Sequence, residues 1–372
     1  MYLAPRLSSH RRTSPPSWLL IALGAASLAP VGCAATATQG GGGGGGGGGS
    51  ATSADAATGS GGVGGVPFDP SGSGGGSTTG SGGGVSAAYA HTNTTLFKFD
   101  PASPSLVTTK VGDFDCIGKA GQDGSMTDLA VNEQGDLWGI SGKNVYHLVP
   151  SGGAVHCDKT IALTNPTTVK FYGLTFAPIG VIGVGKEVLV AGNTDGELWS
   201  IDESGALALH GNLGTVPASD GQGHTYANKN QGKRWELSGD IVFLANAGKA
   251  VGFATVRDCP NPPSTQGCNT TDTLLEIDVA KLGSATTQSV AKAVRGQIVA
   301  RAGCNNPNGG PFGSMYGIAA WSSKVFGFSH SGAIVEIDNV TGGACLVKSG
   351  VELWDGAGVT TVAPVIAPPP PK

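Results

Sequence analysis

Charge is scarce in this sequence: Asp, Glu, Lys and Arg make up 13% of its residues, about half the usual share and low for a cytosolic enzyme. Basic residues are in deficit, with a formal net charge of −4, a balance that argues against a phosphate-backbone partner, and no nucleic-acid partner is expected. No Cys-x-x-Cys pair occurs, which removes the usual zinc spacing. Helical periodicity is rare, and Val279 to Val294 is the main stretch that reads as helix.

Local catalytic signatures are missing too. Gly327-Phe-Ser-His-Ser-Gly332 puts Ser where the second Gly of a nucleophile elbow belongs. Gly180-Val-Ile-Gly183-Val-Gly185 is not followed by the helix a dinucleotide fingerprint needs. Histidines are scattered singly, and Asp113 and Asp115 lack the acidic neighbours of a calcium loop. No catalytic residue, metal ligand set or cofactor is therefore assigned.

What is abundant is glycine, 64 residues, with much of the excess before residue 86. The chain opens with a basic segment, Arg6, His10, Arg11 and Arg12, and then an apolar run of 14 residues from Trp18 to Val31. Such a run is too short to span a bilayer and suits the core of a secretory signal. Residues 1–32 read as that signal. Without them the chain holds 19 basic and 26 acidic residues, a net charge of −7.

The signal runs into Leu28-Ala-Pro-Val-Gly-Cys33. This string resembles the lipobox of bacterial lipoproteins, in which a small residue precedes a lipidated cysteine, although Pro30 stands where that family usually carries Leu. The resemblance implies a lipid on Cys33 and a membrane anchored through it. Ala34 in place of Asp after the cysteine implies outer-membrane sorting within the cell envelope. Residues 33–86, with Gly40 to Gly49 unbroken and Gly/Ser/Thr repeats after them, cannot bury enough apolar surface to order themselves. They read as a disordered tether with an end-to-end distance of about 40 Å. Residues 367–372 read as a disordered Pro-rich tail.

Setting Cys33 aside leaves six cysteines, an even set suited to disulfides in an oxidising compartment. Cys259 and Cys268 bracket a Pro-rich loop. Cys116 to Cys157 and Cys304 to Cys345 span the same 41 positions, as equivalent bonds in a repeat would. The expected pairs are Cys259–Cys268, Cys116–Cys157 and Cys304–Cys345.

Residues 87–366 change to short period-2 apolar runs punctuated by glycine, an all-β pattern. One strand recurs: Leu96-Phe-Lys-Phe-Asp100, Val145-Tyr-His-Leu-Val149, Leu198-Trp-Ser-Ile-Asp202, Leu274-Leu-Glu-Ile-Asp278 and Ile334-Val-Glu-Ile-Asp338. Four end in Asp, which caps the following turn. Gly124-Ser-Met126 also matches Gly313-Ser-Met315, and Trp138-Gly139 matches Phe326-Gly327. Five four-stranded units fit. The first lacks an inner strand, and Gly358 to Ala363 at the other end supplies one, which closes a ring and removes sheet edges. The pattern resembles a β-propeller of the broad quinoprotein-like group with Asp-x-x-Thr-Gly turns. The wide gap between Leu198 and Leu274 leaves six blades as an alternative.

Alternation of strands puts the long loops, Val216 to Arg234, Cys259 to Cys268, Asn305 to Gly313 and the one carrying Trp354, on one face, where function on a rigid scaffold tends to sit. His224, Arg234, Trp235 and Trp354 are the candidate ligand contacts. The leading reading is a non-catalytic binder of an envelope protein or glycan. The alternatives are a propeller enzyme of the lactonase, lyase or glycan-cleaving kind, and an outer-membrane assembly scaffold.

Overall fold

The computed structural model describes residues 88–164, 170–246, 249–259, 268–283, 286–306, 309–350, 352–366 and 368–370. Residues 1–87, with the expected signal, Cys33 and the expected tether, lie outside them. In chain order the strands are β1 (Ala88–His91), β2 (Thr95–Phe99) and β3 (Thr108–Phe114); β4 (Asp128–Val131), β5 (Leu137–Ile140), β6 (Asn144–Ser151) and β7 (Ala154–Ala162). Next come β8 (Phe171–Ala177), β9 (Val188–Asn193), β10 (Glu197–Ile201) and β11 (Leu207–Asn212), then β12 (Glu236–Asn246), β13 (Lys249–Arg257), β14 (Thr273–Ile277) and β15 (Ala291–Gln297). The last are β16 (Met315–Trp321), β17 (Lys324–Ser329), β18 (Ile334–Asp338), β19 (Ala344–Lys348) and β20 (Gly356–Val359).

These strands form five antiparallel blades of a β-propeller. Blade 1 is β20-β1-β2-β3, and blades 2 to 5 are the four successive quartets. Ring closure follows the sequence reading: β20 from the C-terminal end pairs with β1, Ala88 opposite Val359 and His91 opposite Gly356. The strand starts two residues before the expected Gly358 and ends at Val359, after which the chain turns. The wide gap that allowed a sixth blade is filled by the loop before β12, the long β12–β13 hairpin and the loop after it.

The inner strands are buried on both faces and so are closed to water at successive positions, as in β4 and β20, while outer strands such as β3 and β7 are largely exposed. On β12, Val242 and Leu244 enter the cluster shared with blade 5, while Ile241 and Phe243 enter the one shared with blade 3. Fully burying one such side chain contributes about 1.5–3 kcal/mol. The two long repeats have a packing cause. Met126 and Met315 each lie over a glycine of the next strand, where a Cβ at Gly139 or Gly327 would stand 2.6 or 2.8 Å from the sulfur. The strand-ending aspartates cap their turns: Asp202 Oδ1 accepts from the amides of Ser204 and Ala206, and Asp338 Oδ1 from those of Val340 and Thr341.

One backbone contact recurs at four blade junctions, where the end of one outer strand meets the start of the next. Asp115 N donates to Val155 O, Thr164 N to Gly205 O, Asn212 N to Gln288 O, and Arg301 N to Ala344 O. Two of these junctions carry the expected disulfides, Cys116–Cys157 and Cys304–Cys345, so the repeated span of 41 is an inter-blade staple used twice. The third expected pair, Cys259–Cys268, lies within blade 4, between β13 and β14.

Two expectations are corrected. Val279 to Val294 is not a helix: a short 3-10 turn, Val279–Gly283, is followed by β15. Pairing with β14 at the blade's outer edge outweighs weak local periodicity. Nor is the described part of the C-terminal tail loose. Pro368 is buried and the Pro369 carbonyl accepts from Arg295, while Asn339 Nδ2 donates to the Ile366 carbonyl.

Candidate functional site

The loops that enter inner strands and the loops joining second to third strands gather at one end, as the topology requires. Asn230 of the 216–234 loop donates to the Asp258 carbonyl and carboxylate at 3.2 and 3.1 Å, next to Cys259. Tyr226 Oη lies 3.0 Å from Thr273 Oγ1. The Asp272 amide donates to Phe312 O in the 305–313 loop, and His330 Nδ1 lies 3.3 Å from Trp354 O. The described parts of the four loops named from sequence share this loop face, residues 260–267 and 307–308 being outside the described residues.

The four candidate contacts divide evenly. His224 remains half-exposed, its Nδ1 2.7 Å from Asp220 Oδ2. Arg234 is exposed and its guanidinium holds Glu197 at 3.0 Å. Trp235 is 1% exposed and Trp354 0%, so neither serves as a contact, and the sequence reading is corrected there. Trp235 immediately precedes β12 and packs edge-on against Tyr226 between blades 3 and 4. Trp354 sits edge-on against Phe97 and Phe328 between blades 1 and 5. An aromatic at the entry of an inner strand plugs the wedge between blades rather than facing solvent.

The channel holds what sequence reasoning missed. Near the loop end the inner strands carry Gly356, Asp128, Gly173, Asp240 and Gly317, blades 1 to 5 in order. The two aspartates are completely buried. Asp128 Oδ2 accepts from the Leu174 amide and Asp240 Oδ2 from the Ile318 amide, each on the next blade. The glycines make room: a Cβ on Gly356 would stand 2.5 Å from Asp128 Oδ1 and 2.1 Å from His91 Nε2. Burial pushes both carboxyls well above the usual carboxylate range, and the Asp240 charge adds to the effect on Asp128. Burial likewise lowers His91 to about 4, opposed by its bond to the Thr92 carbonyl, so this imidazole is neutral. The available signal was an acid inside an otherwise apolar inner strand, Asp128-Leu-Ala-Val131 and Asp240-Ile-Val-Phe243.

A second acidic group occupies the loop end of blade 4. Glu236, the first residue of β12, is 4% exposed. Burial raises it to about 7, with the charges of Asp195 and Asp272 pushing the same way and Arg257 opposing them. Asp272 is also raised by burial. It accepts from Ser238 Oγ and from the Met315 amide, and Arg257 donates to Ser238 Oγ at 2.7 Å. On blade 5, His330 Nδ1 lies 3.0 Å from Asp355 Oδ1 and its ring lies 5.0 Å from that of Tyr316. His330 belongs to the stretch that fails as a nucleophile elbow, which here is a strand-joining turn. Among the described residues, the two groupings with metal-ligand spacing, Asp115/Cys116/Cys157 and Glu236/Cys259/Cys268, have their sulfurs committed to disulfides.

No protein family matches the chain, and no curated protein does. Solved structures similar to it include a structural-genomics protein of unknown function from Bacteroides thetaiotaomicron VPI-5482, at 13% identity and a TM-score of 0.35, covering 65% of this chain and 54% of that one. The Dos1 propeller is similar at 11% identity and a TM-score of 0.31, over 69% of this chain and 56% of that one. The chain therefore spans little more than half the length of these structures.

Proposed function

We propose that this protein is an envelope-tethered β-propeller lipoprotein that binds a protein or glycan through its loop face. One observation carries the reading. The first strand begins where the last inner strand ends, Ala88 opposite Val359, so the chain both enters and leaves the propeller at the turn face. A 33–86 tether carrying a lipid on Cys33 would join the propeller through the chain entering β1 at Ala88, and the long loops belong to the other face. His224 and Arg234 are the contacts this reading keeps.

The anchor is tested by fractionation: Cys33→Ala should move the protein from the outer-membrane fraction to the soluble envelope fraction. A wild type that is already soluble, with a mature N-terminus away from Cys33, defeats the anchor. Binding is tested by titrating the domain with purified envelope polysaccharides and surface proteins. His224→Ala and Arg234→Ala should each weaken any interaction by about 1–2 kcal/mol with the melting transition unchanged. Retention of full affinity in both variants removes the loop-face assignment.

A second reading, an enzyme, is favoured by Glu236. A carboxyl held near neutrality beside Asp272, Ser238 and Arg257 is poised to give and take protons. Under this reading Glu236→Gln abolishes turnover of a lactone or glycan substrate and leaves the fold intact.

A further inference from the structure

A cleft of about 320 Å³ opens on the turn face between blades 2 and 3, opposite the loop face, within the size range of small-ligand sites. Its floor is the core itself. Phe176, Leu189, Ile161 and Ile201, all members of the cluster between these blades, are 8%, 8%, 7% and 5% exposed. Trp138 on β5 forms part of the wall. Its ring is backed by His147 at 4.9 Å and by Lys159 at 5.9 Å, so the indole is fixed in place and already carries one cation.

The rim is acidic. Asp136, Glu187, Asp202 and Glu203 line the cleft against the single cation Lys186. Among the described residues none of the four forms an ion pair. Their partners are neutral donors: Asn132 for Asp136, the Glu133 amide and Thr361 hydroxyl for Glu187, and the turn amides of Ser204 and Ala206 for Asp202. The Ser204 hydroxyl and the turn amides hold Asp202 below the usual carboxylate range, whereas burial raises Glu187. The cleft thus joins an apolar floor to a rim on which four carboxyls outnumber Lys186.

We infer that this turn-face cleft binds an arginine- or lysine-bearing peptide segment of a partner protein, its apolar stem lying on the Phe176–Leu189 floor beside Trp138 and its cation among the rim carboxylates. Long basic side chains are built for this division, with a buried methylene stem and a charged head kept at the polar edge. The tether does not fill the cleft with its own cation, because residues 34–87 contain no lysine or arginine. The inference is independent of the loop-face reading and uses none of its residues.

The test titrates the purified domain with acetyl-Leu-Arg-Arg-amide and, as control, acetyl-Leu-Glu-Glu-amide, following heat and the Trp138 indole resonance assigned with Trp138→Phe. The arginine peptide should bind saturably and shift that resonance, the control should not, and affinity should fall as salt shortens the screening length from roughly 10 Å toward 3 Å. The double variant Asp136→Asn/Glu203→Gln removes two exposed charges from turns. It should melt like wild type and bind about fivefold or more weakly, the scale of about 1 kcal/mol. The inference is overturned by absence of saturable binding into the millimolar range, by equal binding of both peptides, or by wild-type affinity in the double variant. His224→Ala and Arg234→Ala should leave this binding unchanged, so failure here and failure of the loop-face reading are separable.

Discussion

Asp128 on blade 2 and Asp240 on blade 4 lie against each other inside the channel, both completely buried. Each receives an amide from the following blade, so the pair ties blade 2 to 3 and blade 4 to 5. Two carboxylates in so dry a place are far costlier than one carboxylate and one carboxylic acid, and the folded protein therefore keeps a proton there at neutral pH. A carboxyl whose folded pKa is raised gives a contribution fully present below the unfolded value, near 3.8. That contribution is lost as pH rises through the folded value. Asp128→Asn imitates the protonated acid: its oxygen still accepts from Leu174, and its amide offers a donor toward Asp240 and the unpartnered His91 Nε2. The variant should gain about 1–2 kcal/mol near pH 8 and show a flatter loss of stability with rising pH. Urea unfolding at several pH values measures both, and a loss of stability at pH 8 would refute the shared proton.

The two inter-blade disulfides should matter more than the loop disulfide. Each closes a span of 41 residues, for which loop-closure entropy gives about 4 kcal/mol, against about 2–3 kcal/mol for the short Cys259–Cys268 loop. Cys116→Ser/Cys157→Ser should lower Tm by about 10 °C in a domain of this size, and Cys304→Ser/Cys345→Ser by a similar amount. Calorimetry of the two double variants checks the equivalence, and peptide mapping without reductant checks the pairs.

The sequence exposed those staples because a repeat spaces equivalent cysteines equally. It exposed the ring closure because Leu96 to Asp100 arrives too early to follow an inner strand of its own. Blade count was legible from strand-ending aspartates whose role is local, since they cap turns a few residues away. Side-chain direction was not legible. Trp235, beside Arg234, reads as a recognition surface, yet the chain turns into an inner strand between them. Asp128 and Asp240 read as ordinary strand acids until five inner strands converge on one axis. Val279 to Val294 failed because its conformation is decided by β14, distant in neither sequence nor space but outside any helical pattern.

Asp220 is one of the groups that fasten the loop before β12, beside Asn230 and Tyr226. Asp220 Oδ2 accepts from the Gln297 amide and sits against His224 Nδ1, and Oδ1 takes the amides of Gln222 and His224. Burial alone would raise its pKa, but these donors together hold it below the ordinary carboxylate value. A depressed folded pKa contributes stability present above the unfolded value near 3.8 and lost as pH falls through the folded one. Amide exchange in residues 216–234 should therefore quicken below about pH 4 before the blades unfold. Asp220→Ala should show the quickened exchange at neutral pH. Protection that persists in Asp220→Ala would mean the loop is held elsewhere.

Trp235 and Arg234, adjacent in sequence, should separate stability from recognition. Trp235 fills the wedge between blades 3 and 4 and packs on Tyr226, and the Gly196 turn lies directly over its backbone, where a Cβ would come within 2.5 Å of the Trp235 carbonyl. Truncating it leaves a cavity that rigid strands on either side cannot close, at a cost of about 3–5 kcal/mol. Arg234 reaches out to a single exposed ion pair with Glu197, worth about 0–1 kcal/mol. Urea unfolding should therefore show a large fall in midpoint for Trp235→Ala with an unchanged slope, and almost none for Arg234→Ala. Trp354→Ala should behave like Trp235→Ala, since Phe97 and Phe328 close on it from two blades. A Trp235→Ala protein as stable as wild type would mean that the ring does not plug the wedge, and would reopen its candidacy as a contact on the loop face.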